Sequence, residues 1–309
     1  MADYRHLYGP VPSRRLGRSL GVDMVPMKTC CLDCVYCQLG PTTVHTSMRR
    51  EYVEIEEVLE ELARWLQAGG AADYLTFAGC GEPTLNSELG DAMARARALT
   101  DIPVCLLTNG ALLWREGVRN AAMQADLIIP SLDAGTEETL QRVNQPVEGI
   151  TLERYVDGLR TTVEGFRGEV WLEVMLVAGV NDSDPELAAI DRAIERIRPA
   201  QVQINTVVRP APGADARRVD NGTLVRARVI LGPNATVISS AWDRGAPEGA
   251  EHDAAEVLAL VTHRPATLQD IAHGLGMHPN EATKYLARLV DEGALHTEER
   301  DGRLFYLRA

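Results

Sequence analysis

The sequence predicts an α/β fold: a partial, TIM-like (β/α)6 barrel followed by a small helical domain that ends in a hairpin. Three observations carry this. Short apolar runs alternate six times with helical stretches between residues 19 and 208, the pattern of β-α units in a parallel sheet. Glycine and polar residues collect at the C-terminal ends of those runs, where such barrels place their chemistry. From residue 254 the pattern changes to three short helices and two strands flanking Asp301-Gly302, a hairpin signal. A chain of 309 residues is long enough for a barrel-sized domain and a small one.

Residues 9–18, with Pro10 and Pro12 among them, read as loop, and Ser19 to Val25 as the first strand. Glu54 to Gln67 carries Ile55, Val58, Leu59, Leu62, Trp65 and Leu66 at helical spacing, and Gly69 and Gly70 stop it. Tyr74 to Ala78 is the second strand, tipped by Gly79-Cys80-Gly81-Glu82-Pro83-Thr84. A helix from about Ser87 to Leu99 leads to strand Val104 to Leu107, which ends at Thr108-Asn109-Gly110. A helix over roughly 112–124 leads to strand Leu127 to Leu132, which ends at Ser131-Leu132-Asp133. Helix Thr151 to Gly165, strand Trp171 to Val177, helix Pro185 to Arg198 and strand Gln201 to Val208 complete the series. Residues 210–250 are broken by proline and glycine, with one more strand at Ala235 to Ser239. A linker near 243–252 therefore divides a barrel over 1–245 from a small domain over 252–309. That domain reads as helices Ala254 to Thr262, Thr267 to Leu275 and Asn280 to Asp291, then strands Ala294 to Thr297 and Leu304 to Leu307.

The formal net charge is −13, so the surface as a whole repels nucleic acid and anionic membranes. Residues 250–309 alone hold six Lys or Arg against ten Asp or Glu, a poor match to phosphate binding. The N-terminus lacks the apolar core of a signal peptide, and no apolar run approaches transmembrane length. Six cysteines, three of them at metal-ligand spacing, suit a reducing cytosol better than a disulfide framework. The expectation is a soluble cytoplasmic protein.

Cys30, Cys34 and Cys37 stand in the spacing C-x3-C-x2-C just after the first strand. So short a loop turns three soft thiolates toward one point, which suits an iron–sulfur cluster or zinc. Structural zinc wants a fourth Cys or His at finger-like spacing, and the nearest, His45, lies eight residues beyond Cys37. The spacing favours an iron–sulfur cluster in which one iron has no protein ligand, over zinc or redox thiols. Arg14, Arg15 and Arg18 just before the loop are either a solvated basic patch or an anion site.

Two later strands carry polar residues where a covered parallel strand should be apolar. Leu172, Val174 and Leu176 alternate with Trp171, Glu173 and Met175; Val202 and Ile204 alternate with Gln201, Gln203 and Asn205. The polar sets face the barrel interior, where Glu173 needs a partner. Glu173, Gln203 and Asn205 are therefore candidates for cofactor or substrate contact, against the alternative of a satisfied structural network. Arg209, at the end of the sixth strand, could hold a carboxylate or phosphate.

With Tyr36 as its aromatic, C-x3-C-x-aromatic-C resembles the radical S-adenosylmethionine (radical SAM) superfamily. The resemblance implies a partial barrel, a [4Fe–4S] cluster on Cys30, Cys34 and Cys37, and S-adenosyl-L-methionine on its open iron. An electron from the cluster then cleaves the cofactor's C5′–S bond, and the 5′-deoxyadenosyl radical takes hydrogen from a substrate. Gly79-Cys80-Gly81-Glu82-Pro83 resembles the family's Gly-Gly-Glu-Pro segment, with Cys80 replacing one glycine. Ser131 and Asp133 match its polar pair at the fourth strand, and Asn109 its Thr-Asn-Gly turn. Tyr36, Gly79, Gly81, Glu82, Asn109, Ser131 and Asp133 are thereby implied in cofactor binding. The resemblance also implies an electron donor of flavodoxin or ferredoxin type. The opening run from Gly9 looks like an oxidoreductase branch related to the wyosine-forming tRNA enzymes. Those carry a second cluster and a condensing lysine, whereas here Cys31, Cys80 and Cys105 are dispersed and Lys28 is the sole barrel lysine.

The small domain resembles a winged helix-turn-helix. Its acidity favours peptide or protein docking, or packing for the barrel, over nucleic acid. The substrate is unassigned; a tRNA-modifying enzyme and a cluster-gated redox-sensing regulator are the alternatives.

Overall fold

The computed structural model describes residues 4–211, 215–238, 254–275, 277 and 279–309. The predicted linker near 243–252 lies outside the described residues. Strands β1 (Leu7–Ser13) and β2 (Gly17–Asp23) open the chain as an antiparallel hairpin. Short strands β3 (Thr29–Cys30) and β4 (Val44–His45) follow, and helix α1 (Ile55–Gln67) leads into β5 (Tyr74–Ala78). The repeating part then runs α2 (Leu89–Leu99), β6 (Val104–Thr108), α3 (Glu116–Ala122), β7 (Leu127–Pro130), α4 (Glu137–Val143), α5 (Leu152–Gly165), β8 (Glu169–Leu176), α6 (Asp184–Ile197), β9 (Gln201–Thr206), α7 (Asn221–Ile230) and β10 (Ala235–Val237). Helices α8 (Ala254–His263), α9 (Leu268–Leu275) and α10 (Pro279–Asp291) and the hairpin of β11 (Leu295–Arg300) and β12 (Arg303–Arg308) form the small domain.

The main sheet has the order β1-β2-β5-β6-β7-β8-β9-β10 and is open at both edges. All its pairings are parallel except β1–β2. The six predicted strands are therefore present in their predicted order, flanked by β10 on one side and β1 on the other. One core lies between the sheet and its helices: Val22, Phe77, Leu106, Ile128, Leu172, Val174 and Ile204 are essentially inaccessible to solvent. A second, smaller layer fills the inner face, where Leu16 meets Cys105, Leu127 and Ile129. The small domain has its own core around Val257, Ile271, Leu286 and Leu295. Its helices α8 and α9 pack against β1. No described helix is long and apolar enough to cross a membrane.

Besides the short strands β3 and β4, three elements differ from expectation. Residues 9–18 are an edge strand and its turn, not a loop. Pro10 and Pro12 hide the strand, because proline cannot donate to a ladder and only an edge tolerates it. Helix α4 escaped notice because it is only seven residues long, although Thr136 caps it by accepting from the Thr139 amide. Helix α7 escaped because its apolar residues sit on both faces: Leu224 and Ala227 are buried, but Val225 and Val229 are exposed.

Candidate functional site

The cysteine loop is built by contacts from distant segments. Parallel pairing of β3 with β4 places Cys30 beside His45, and the Cys37 amide donates to the Cys34 carbonyl at 3.0 Å. The amides of Asp33 and Val35 donate to the carbonyls of Asn144 and Val143, at the end of α4. Asn144 was not foreseen. Its side-chain amide donates to Cys34 Sγ at 3.3 Å and to Asp133 Oδ2 at 2.8 Å. Asn109 does the same on the other side, donating to Cys30 Sγ at 3.5 Å. Nothing in the local sequence around Asn144 marks it, because its partner lies 110 residues away. Burial pushes the thiols of Cys34 and Cys37 up, and neighbouring Cys30 adds to both shifts.

Glycine does the packing work at the β5 tip. A Cβ on Gly81 would meet the Thr29 carbonyl oxygen at 2.2 Å, so its absence lets the tip close onto the cysteine loop. The Glu82 amide then donates to that same oxygen. The Glu82 carboxylate is buried and accepts from the Thr84 amide and hydroxyl, the Thr108 hydroxyl and the Asn109 amide. It ties the β5 tip to the β6 tip, and its oxygens are engaged by the protein rather than held out for a cofactor.

Asp133 has a comparable place. It accepts from the Tyr36 hydroxyl at 2.5 Å, from Asn144, and from the Met175 amide at 2.8 Å. Burial nonetheless raises its pKa to about 6, those donors pulling the other way. Tyr36 and Asp133 together lock the cysteine loop to the end of β7. Ser131 bridges to Glu173 at the same strand end.

Glu173 has the partner its burial requires: an ion pair with Arg15, from the β1–β2 turn. Asn205 Nδ2 adds a hydrogen bond at 3.0 Å. Burial alone would raise the Glu173 pKa, but Arg15 and Asn205 outweigh it and hold the carboxyl below its ordinary value. Gln203 donates to Gln201 at 2.9 Å and accepts from Arg15 at 3.4 Å. Asn205 accepts from the Thr206 amide. Glu173, Gln203 and Asn205 thus form a hydrogen-bonded network at the floor of the site, and Glu173 and Asn205 of that network still face the cavity.

These parts surround one cavity of about 420 Å³. Cys30, Cys34, Cys37, Tyr36, Gly79, Gly81, Glu82, Asn109, Ser131, Glu173 and Asn205 line it; Asp133 and Gln203 stand behind its wall. Four arginines also line it: Arg14, Arg15, Arg209 and Arg264. Burial and the Arg209 charge lower the Arg14 pKa to about 10; burial and the Arg264 charge lower that of Arg209 to about 9. The Arg209 Nε is buried with no hydrogen-bond partner among the described residues. Leu260, His263 and Arg264 complete the wall, so the small domain closes one side of the cavity.

Residues 24–190 match the radical SAM superfamily. The chain belongs to the radical SAM superfamily. Residues 254–299 match the IclR helix-turn-helix domain. Across 98% of its length this radical SAM protein is 34% identical to a protein described as "GTPase Obg" from Brachyspira hyodysenteriae, of which it spans only 45%. It is 37% identical over 207 residues to a UPF0026 protein of Synechocystis, covering 67% of this chain and 77% of that one. In fold it is similar to a radical SAM methyltransferase from Sphaerobacter thermophilus, at a TM-score of 0.53 and 20% identity, over 71% of this chain and 65% of that one.

The residues present fit the cluster that membership implies. Three thiols share one cavity wall, none of the described cysteines is in a disulfide, and two asparagine amides point at sulfur. Hydrogen bonds to sulfur are what tune such clusters.

Proposed function

We propose that this chain is an S-adenosylmethionine-cleaving enzyme whose substrate carries a phosphate or carboxylate. The observation that carries the reading is that the three cysteines and the buried arginines open onto the same cavity. When bound on Cys30, Cys34 and Cys37, a [4Fe–4S] cluster supplies the electron that breaks the C5′–S bond of S-adenosylmethionine, so that the adenosyl radical can take a substrate hydrogen. The chain's own residues do the rest. The glycine tip brings backbone close to the cysteine loop, and the Tyr36–Asp133 and Asn144 contacts keep that loop fixed. Arg15 neutralises Glu173, so the floor presents no free negative charge to repel an anion. Arg14 and Arg209 then offer a cationic end with an unsatisfied donor, and a buried donor of that kind gains most from a charged acceptor. A flavodoxin- or ferredoxin-type protein is the proposed electron source.

The test is anaerobic incubation of reconstituted protein with dithionite and S-adenosylmethionine. The expected product is 5′-deoxyadenosine, absent in Cys34→Ser. Phosphorylated and carboxylated metabolite fractions are expected to accelerate it, and Arg209→Gln to abolish the acceleration while leaving the basal rate. No 5′-deoxyadenosine under any condition would overturn the reading. Acceleration by neutral fractions alone would overturn its anionic part.

A further inference from the structure

A second cluster of ligating side chains sits where the barrel meets the small domain. Asp23 ends β2, Cys80 is in the β5 tip, and His263 ends α8. One ligand atom from each lies within 4.8 Å of the other two. Cys80 Sγ stands 3.7 Å from His263 Nδ1. The metal–sulfur and metal–nitrogen bond lengths of tetrahedral zinc put such a pair about 3.6 Å apart. The trio is also held in place. Both Asp23 oxygens accept from the Cys80 amide, at 3.2 and 3.3 Å. The His263 ring packs edge-on against Tyr8, with centroids 3.9 Å apart. A Cβ on Gly79 would strike Asp23 Oδ1 at 2.2 Å, so the bare backbone leaves room for the carboxylate.

From this geometry we infer that Asp23, Cys80 and His263 form an interdomain zinc site, separate from the iron-binding cysteines. A thiolate, an imidazole and a carboxylate together make a borderline-soft donor set that suits Zn²⁺. Cys80 and His263 both line the cavity, so water from it takes the fourth position. Two of the three ligands belong to the barrel and one to the small domain, so the ion clamps the wall that Leu260, His263 and Arg264 give to the cavity. The positive groups nearby, Arg264 and Arg308, limit the site's cation affinity. The two anionic ligands balance the ion itself.

The experiment uses the full chain, loaded anaerobically with iron and sulfide, given one equivalent of Zn²⁺ and desalted. Plasma mass spectrometry is expected to find about one zinc per chain beside the iron. Cys80→Ser and His263→Gln are each expected to lose at least nine-tenths of the zinc and keep the iron. A Cys30→Ser/Cys34→Ser/Cys37→Ser variant is expected to do the reverse. In that triple variant Co²⁺ replaces zinc, and a near-ultraviolet thiolate-to-cobalt band is expected, reporting Cys80 without any change at the site. The inference is overturned by zinc that stays in both single variants, by zinc that leaves with the iron cysteines, or by absence of the cobalt band. Because zinc and iron are counted separately, failure here is distinguishable from failure of the radical reading.

Discussion

Removing the Arg15 guanidinium is the sharpest test of how the barrel interior is held. Arg15 and Glu173 expose only 15% and 11% of their side chains, so water screens their ion pair poorly. At an effective dielectric constant near 20, opposite charges about 4 Å apart attract by about 4 kcal/mol. Breaking a buried pair on one side costs about 3–5 kcal/mol, because it strands the other charge. Arg15→Met keeps an unbranched apolar stem but leaves Glu173 with Asn205 as its one remaining side-chain donor among the described residues. The expected loss is therefore about 3–5 kcal/mol near neutral pH. Its pH dependence follows from the sign of the shift. In the native chain Glu173 sits below its ordinary value, so its contribution is present above the unfolded pKa, about 4.3, and fades as pH falls through the lower folded one. In Arg15→Met burial, the largest influence on this carboxyl, is opposed only by Asn205 and the more distant Arg14 charge, so the carboxyl rises, and the deficit is small near pH 4 and grows toward pH 8. Urea unfolding of the apo chain, followed by tryptophan fluorescence from pH 4 to 8, measures this; Trp65, Trp114 and Trp171 all lie in the barrel. Adding Glu173→Gln is expected to recover most of the loss. A deficit under about 1 kcal/mol that stays flat with pH would refute the argument.

Asp133, with a folded pKa of about 6 against 3.8 unperturbed, lowers stability as pH rises from 4 to 6, by (6 − 3.8) × 1.36, or about 3 kcal/mol at most. Asp133→Asn is expected to flatten that part of the stability profile, and an unchanged slope in urea midpoints counts against it. Asn144→Ala removes a donor to Cys34 Sγ and another to Asp133. It should cost about 1–3 kcal/mol and make the potential of the loaded centre more negative in an anaerobic redox titration. Gly81→Ala pushes a methyl into the Thr29 carbonyl, costs about 1–3 kcal/mol and should lower iron per chain after reconstitution. Full iron loading with unchanged stability would show that the β5 tip does not brace the cysteine loop.

The sequence by itself determined the strand order, the three thiolates and the family. Each depends on short-range patterning: a six-fold alternation of apolar runs, and a spacing that eight residues can express. It also showed that Glu173 needs a partner, since a carboxylate on a covered strand cannot stand alone. It could not say that the partner is Arg15, because the hairpin that delivers Arg15 is an edge strand disguised by two prolines. The tertiary structure alone decided that Glu82 and Asp133 brace the loop rather than hold out free oxygens. It alone brought Asn144 to Cys34 and His263 to Cys80, contacts spanning 110 and 183 residues. Such pairings arise when sheet twist and helix packing close chain segments onto one another, and no local pattern encodes that closure.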